Sequence, residues 1–171
     1  EFDFDLPKKM HPEVGLHINS LADSDGRELS FKEIEAEFHK EFVNRKDIIE
    51  LLQYRIIELT DDEVHANVVL SHHGKDMELK GKGNGPINSV VYVMKQQGWK
   101  DFNLEEYRSH SIGQTSASTS VSYIQISLQS DPDIKFWGCG VHTSIRRSGV
   151  NALVSAYNRA QVIMKKEKIL E

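Results

Sequence analysis

Apolar positions along the chain recur first at helical and then at strand spacing, and the change falls near residue 50. Pro12 stands where a first helical turn tolerates proline, residues 16–21 continue an apolar pattern, and Asp23-Ser24-Asp25-Gly26 is expected to stop it as a turn. Ser30-Phe31-Lys32-Glu33 reads as a capping box, in which hydroxyl and carboxylate satisfy each other's orphan amides, and Ile34, Phe38 and Phe42 follow at four-residue spacing. Two such helices bury little alone, so they are expected to dock on a neighbour, with residues 43–47 as a connector.

From Leu52 the period becomes two. Tyr54 and Ile56, then the offset Ile57 and Leu59, lead to a turn at Thr60-Asp61-Asp62. Val64, Ala66, Val68 and Leu70 alternate with His65 and Asn67, His72-His73-Gly74-Lys75 makes the next turn, and Met77 and Leu79 alternate beyond it. Gly81-Lys82-Gly83-Asn84-Gly85-Pro86 is expected to break this meander, after which Ile87, Val90, Val91 and Met94 mark a helix ending at Gly98. The order then returns. Residues 102–112 and 118–128 read as strands, Ser130-Asp131-Pro132-Asp133 as a tight turn, and residues 134–141 as a strand ending in Gly138-Cys139-Gly140. A helix follows with Ile145, Val150, Leu153, Val154, Tyr157 and Ala160 on its apolar face and Lys165, Lys166 and Lys168 near its negative end. The pattern predicts an α+β fold: duplicated βββα units (50–98 and 101–167) packed together around a shared layer, preceded by a small two-helix subdomain, with the division at 1–47 and 48–171.

Composition narrows the function. The 171 residues, 39% apolar and 27% charged, suit one globular domain with a short appendage. The apolar runs are too short for a transmembrane helix or a secretory signal, and the single Cys139 excludes an internal disulfide framework, so a cytoplasmic protein is expected. A net charge of −5 argues against a nucleic-acid footprint; residues 1–50 hold 13 acidic and 7 basic side chains, the remainder 13 and 14. The chain opens on Glu1-Phe2 rather than Met, which predicts a piece of a longer protein.

Candidate chemistry is sparse. Both Gly-x-Gly pairs are expected at strand-to-helix junctions, where helix amides suit a carboxylate, although such glycines also serve close packing at a turn. Neither matches a dinucleotide loop or a P-loop. None of the eight histidines stands at a ligand spacing, so no metal is assigned; His72-His73 reads as a solvated hairpin tip, and His65 and His110 as surface or interface residues. Residues 111–122, rich in Ser, Thr and Ala, leave room for another backbone or a ligand. No nucleophile with a base and an orienting group can be named, so the residues describe a binding module.

Gly81-Lys82-Gly83-Asn84-Gly85-Pro86-Ile87, residues 107–112, Trp137-Gly138-Cys139-Gly140-Val141 and Ala152-Leu153-Val154-Ser155-Ala156-Tyr157-Asn158-Arg159-Ala160 together resemble the C-terminal regulatory domain of the 2-isopropylmalate synthases. Leu6-Pro7-Lys8-Lys9-Met10 and the two helices after it resemble the accessory subdomain that joins the catalytic barrel of that family to its regulatory domain. The resemblance implies an allosteric homodimer that binds L-leucine and slows the condensation of acetyl-CoA with 2-oxoisovalerate. The divalent metal and the catalytic (β/α)8 barrel of the family lie outside this chain, which is expected to be non-catalytic and to need no cofactor of its own. Carried over by resemblance, the effector contacts are Gly83, Gly85, Ile87, Asn88, Leu104, Tyr107, Ser111, Ser118, Ser120, Val141 and Thr143. The family often has Ala at the positions of Asn88, Ser111, Ser118 and Ser120, and Pro or Asp near Thr143. The alternatives are the same fold in a citramalate synthase sensing isoleucine, and a dimerisation module without effector.

Overall fold

The computed structural model describes the backbone of residues 3–113 and 118–170 and the side chains of 3–113 and 118–167. Glu1-Phe2, the middle of the Ser/Thr-rich stretch (114–117) and the Lys168 side chain lie outside the described residues. A short 3-10 turn, Lys8–Met10, leads into α1 (His11–Asp25), with Pro12 in its first turn. The acidic stretch expected as a separate turn is instead the last turn of α1, which ends at Gly26 in the left-handed region with φ 66°. In α2 (Phe31–Phe42) both halves of the capping box form: Ser30 N donates to Glu33 at 2.8 Å, and Glu33 N donates to Ser30 Oγ at 3.4 Å. Arg27 first, and then Ser30, hold the exposed Glu33 carboxyl down to about 2.

Two antiparallel three-stranded meanders follow, each closed by a helix: β1 (Ile49–Thr60), β2 (Glu63–His72), β3 (Lys75–Gly83) and α3 (Pro86–Gln96), then β4 (Asn103–Ile112), β5 (Thr119–Ser127), β6 (Lys135–His142) and α4 (Ile145–Leu170). The duplication extends to the register. Tyr54 pairs with Val68 as Tyr107 pairs with Ile124, and each tyrosine follows a slip in pairing, between Leu51 and Gln53 and between Leu104 and Glu106. The extra residue Leu52 keeps Ile49 and Leu51 in phase with Tyr54 and Ile56 on the core side and leaves Ile57 and Leu59 exposed, which accounts for the offset in the sequence pattern.

The glycines differ from expectation. β3 does not break at Gly81; it continues through Gly83, pairing Gly81 with Ala66 and Gly83 with Val64. Gly138 and Gly140 lie within β6, not at a helix start, paired with Ile124 and Ser122. Counted from the matching Val68 and Ile124 pairs, Gly81 corresponds to Gly140, and each faces the buried serine of the following helix: a Cβ on Gly81 would stand 2.9 Å from the Ser89 carbonyl oxygen, and one on Gly140 would overlap that of Ser148. A Cβ on Gly138 would overlap the backbone of Ala152 and Ala156. Close approach of helix to sheet is therefore what these three glycines permit, and the carboxylate role expected for the second pair is withdrawn.

The inner faces of both sheets share one core with α3 and α4. α4 packs on β5 and β6 and also reaches α3 and β1, so residues 152–160 are all buried. A second core forms on the other face of β4–β6, where Met10, Phe38 and Phe42 cover Val121, Tyr123, Trp137 and Cys139. β5 is thus buried on both faces from residue 120 onward. Cys139 is a buried free thiol whose pKa is pushed up by desolvation. No helix among the described residues is long and apolar enough to cross a membrane.

The glycine geometry sets the first prediction. Gly138→Ala and Gly140→Ala should each lower unfolding free energy by at least ~3 kcal/mol, because neither neighbour is a flexible side-chain end. Gly85→Ala should change it by less than ~1 kcal/mol, since its Cβ would meet nothing within 4 Å and its φ of −175° is open to any residue. Urea midpoints of the three variants check this.

Candidate functional site

The first turns of α3 and α4 meet at the core-facing side of Tyr107, and the cavity there, about 170 Å³, is lined by Pro86, Ile87, Tyr107, Ile145 and Arg146. It is smaller than the ~300–1,000 Å³ of pockets for drug-sized ligands, so it suits a small molecule. Gly149 makes the room: a Cβ there would stand 3.1 Å from Ile87 Cδ1 and 3.4 Å from the Tyr107 ring. Both helices start here, so amides without intrahelical partners lie close to apolar walls. Tyr107 and Ile145 remain 44% and 52% exposed.

The structure brings some of the expected site residues together and separates others. Ile87 and Tyr107 meet in this cavity. Leu104, Ser111 and Ser120 share the core-facing side of the second sheet with Tyr107, Ser111 pairing with Ser120. Ser118 is half-buried just before β5. Asn88 is exposed and donates to Asn84 Oδ1; Thr143 is exposed beside the start of α4. Gly83 lies against the backbone of α3, a Cβ there standing 2.7 Å from Ser89 N, whereas Gly85 caps that helix facing open space. Val141 is placed elsewhere: one residue past Gly140, it points to the opposite face, packs against the second core and exchanges hydrogen bonds with Asn44 at 2.9 and 3.2 Å. It lines a separate cleft with Arg45, Lys46, His142 and Arg147.

The polar residues of α4 fasten the accessory helices to the sheets, and sequence reasoning missed them. Ser155 Oγ donates to Phe42 O at 2.7 Å and accepts from Arg45 N at 3.1 Å. Asn158 Oδ1 accepts from the amides of Ile48 and Ile49 at 3.0 and 2.9 Å while its Nδ2 donates to the carbonyls of Arg45 and Ile49. Arg159, 2% exposed, donates to Glu13 at 2.6 Å, Glu41 at 3.1 Å and the Trp137 carbonyl at 2.5 Å, over the face of Phe42 at 4.0 Å. The signal in the sequence was an Asn-Arg pair inside an otherwise apolar helix stretch.

His110 bonds the Tyr123 hydroxyl at 2.8 Å and the Asp5 amide, and His65 pairs with Glu63. His72 is not simply a solvated tip: it packs on Trp99 with ring centres 4.9 Å apart, and burial lowers its pKa. Among the described residues no three His, Cys, Asp or Glu side chains converge as a metal site.

Residues 28–161 match the sequence model of the LeuA allosteric (dimerisation) domain. The chain is similar to the 2-isopropylmalate synthase of Clostridium acetobutylicum, 34% identical over 95% of this chain and 29% of the relative, and to that of Desulfitobacterium hafniense, 32% identical over 92% and 28%. It spans less than a third of the length of these curated relatives.

Two predictions follow from the buried groups. Arg159→Ala should cost ~3–5 kcal/mol of unfolding free energy, because Glu13 and Glu41 lose the cation that balances them away from water; denaturant unfolding measures it. Burial raises the phenols of Tyr54 and Tyr157 to about 12 and that of Tyr123 as well, so the native state keeps protons that the unfolded chain releases near pH 10. This contribution is complete below pH ~10 and disappears as the pH rises towards 12. Urea midpoints should fall across that window, with the tyrosinate absorbance of these three rings appearing as the protein unfolds.

Proposed function

Because this chain belongs to the LeuA allosteric (dimerisation) domain family, we propose that it is the regulatory domain of a 2-isopropylmalate synthase and binds L-leucine for feedback inhibition. The observation behind this reading is the small cavity in which Ile87 and Tyr107 meet the first turns of both helices. Its apolar walls suit an aliphatic side chain, and the amides at the start of α3 suit a carboxylate. The condensation of acetyl-CoA with 2-oxoisovalerate belongs to a metal-dependent catalytic barrel outside this chain, in a cytoplasmic enzyme. A second copy of the domain covers the apolar side chains left exposed at the cavity, Tyr107 and Ile145, giving a homodimer.

Titration calorimetry tests the reading. L-leucine should bind a chain that sediments as a dimer, and L-isoleucine more weakly; the reverse order favours a citramalate synthase parent, and binding of neither leaves a dimerisation module. Ile87→Ala and Tyr107→Ala should each weaken leucine by ~1–3 kcal/mol, roughly ten- to a hundredfold. Gly85→Trp should abolish binding without lowering the unfolding midpoint, since that position faces open space. Unchanged binding by a folded, dimeric Gly85→Trp protein rules out a carboxylate at the start of α3.

A further inference from the structure

The cleft beside Val141, about 220 Å³, opens where the connector from α2, the end of β6 and the first part of α4 come together over β1. Arg45, Lys46 and Arg147 line it, and no aspartate or glutamate does, although residues 1–50 are acidic overall. The first two cations are balanced by groups outside the cleft. All three guanidinium nitrogens of Arg45 bond Asp47 or Glu41, and Lys46 pairs with Glu50 at 3.0 Å. Arg147 has no such balance. Its Nη2 donates to the carbonyl of Leu51 at 2.8 Å and its Nε to Asn151 Oδ1 at 3.2 Å, and among the described residues it forms no ion pair. Burial lowers its pKa, as expected of a cation removed from water without a counter-charge.

Other donors around the cleft are also unused. His142 Nδ1 accepts from Ser144 N at 2.9 Å, which leaves the hydrogen of the neutral ring on Nε2. Arg147 Nη1 and Asn151 Nδ2 have no acceptor among the described residues. The remaining lining is apolar, with Leu51 and Val154 both buried, and the volume exceeds the 170 Å³ of the cavity at Tyr107. A carboxylate matches the free edge of a guanidinium, and an aliphatic tail matches Leu51 and Val154. An ammonium group would meet three cations there. We propose that this cleft is a second ligand site, separate from the cavity at Tyr107, which takes a small aliphatic carboxylate without an amino group, of the 2-oxo acid class, anchored by Arg147. Its lining comes from both the connector and α4, so the bound acid also ties the accessory subdomain to the sheets.

The test is titration calorimetry with 4-methyl-2-oxopentanoate, which has the skeleton of leucine with a carbonyl in place of the ammonium group. In Asn151→Asp the new carboxylate keeps the bond from Arg147 Nε, balances that cation within the cleft and repels the probe. Affinity for the 2-oxo acid should fall at least tenfold in this variant, while its melting temperature holds or rises and L-leucine binds it as it binds the parent chain. Arg147→Gln should give the same loss, and Ile87→Ala none. Acetate, which lacks the tail, should bind the parent chain at least tenfold more weakly than the 2-oxo acid. The proposal is overturned if the parent chain does not take up the 2-oxo acid, or if acetate binds equally well. It is also overturned if Asn151→Asp binds the acid unchanged, melts lower or loses leucine, or if Ile87→Ala weakens the acid, which would put it in the cavity at Tyr107. Leucine uptake is read separately, so a parent chain that binds the 2-oxo acid but not leucine overturns the effector reading and leaves this site standing.

Discussion

A helix buried on every side must bring its backbone close to its neighbours and satisfy every polar group it takes inside, and α4 is the element on which both demands fall. Residues 138 and 140 have no side chain, so the helix lies almost directly on β6. Its buried Ser148, Ser155, Asn158 and Arg159 would be heavily destabilising in such a place without partners. They find them in Ser122, in the chain connecting α2 to β1, and in Glu13 and Glu41 of the accessory helices. The polar groups of one helix thus decide where the rest of the chain can pass.

The accessory helices depend on this arrangement. α1 buries no residue of its own, and α2 buries only Phe38 and Phe42, too little to hold two helices in place. What fixes them is the outer face of β4–β6 together with the Arg159 cluster, in which a planar guanidinium satisfies two carboxylates and a carbonyl at once, a geometry that a lysine ammonium cannot reproduce. Because α4 also supplies Ile145 and Arg146 to the cavity, a single rigid helix joins the candidate site to the accessory subdomain.

What could be read from the sequence was whatever is local. The capping box at Ser30 and Glu33, the alternation of β2 and the repeat of three strands and a helix all rest on residues a few positions apart. Pairing slips were less legible, because an extra residue such as Leu52 looks like a change of phase rather than a bulge. The glycine pairs misled for a related reason: Gly81-Lys82-Gly83 and Gly138-Cys139-Gly140 look equivalent as strings, but the register sets Gly81 against Gly140. The acidic partners of Arg159 were out of reach, since they lie 118 and 146 residues away. Of the site, resemblance named Ile87 and Tyr107 and missed Ile145 and Arg146; strand parity alone, which turns Val141 away from the face of Gly140, could have set that residue apart.

The duplication also shows how a pocket arises from a repeat. Position for position, the second unit substitutes small residues for larger ones: Gly138 stands where the first has Leu79, Gly149 where it has Val90, and Ala152 where it has Val93. Small residues let α4 sit deeper on its sheet than α3 does on its own, and the depth differs while the loops that begin the two helices remain matched. Two units identical in packing would bury Tyr54 and Tyr107 alike. With Gly149 in place of a valine, the Tyr107 ring and Ile87 instead border open volume, and the cavity lies where the two copies have stopped being equivalent.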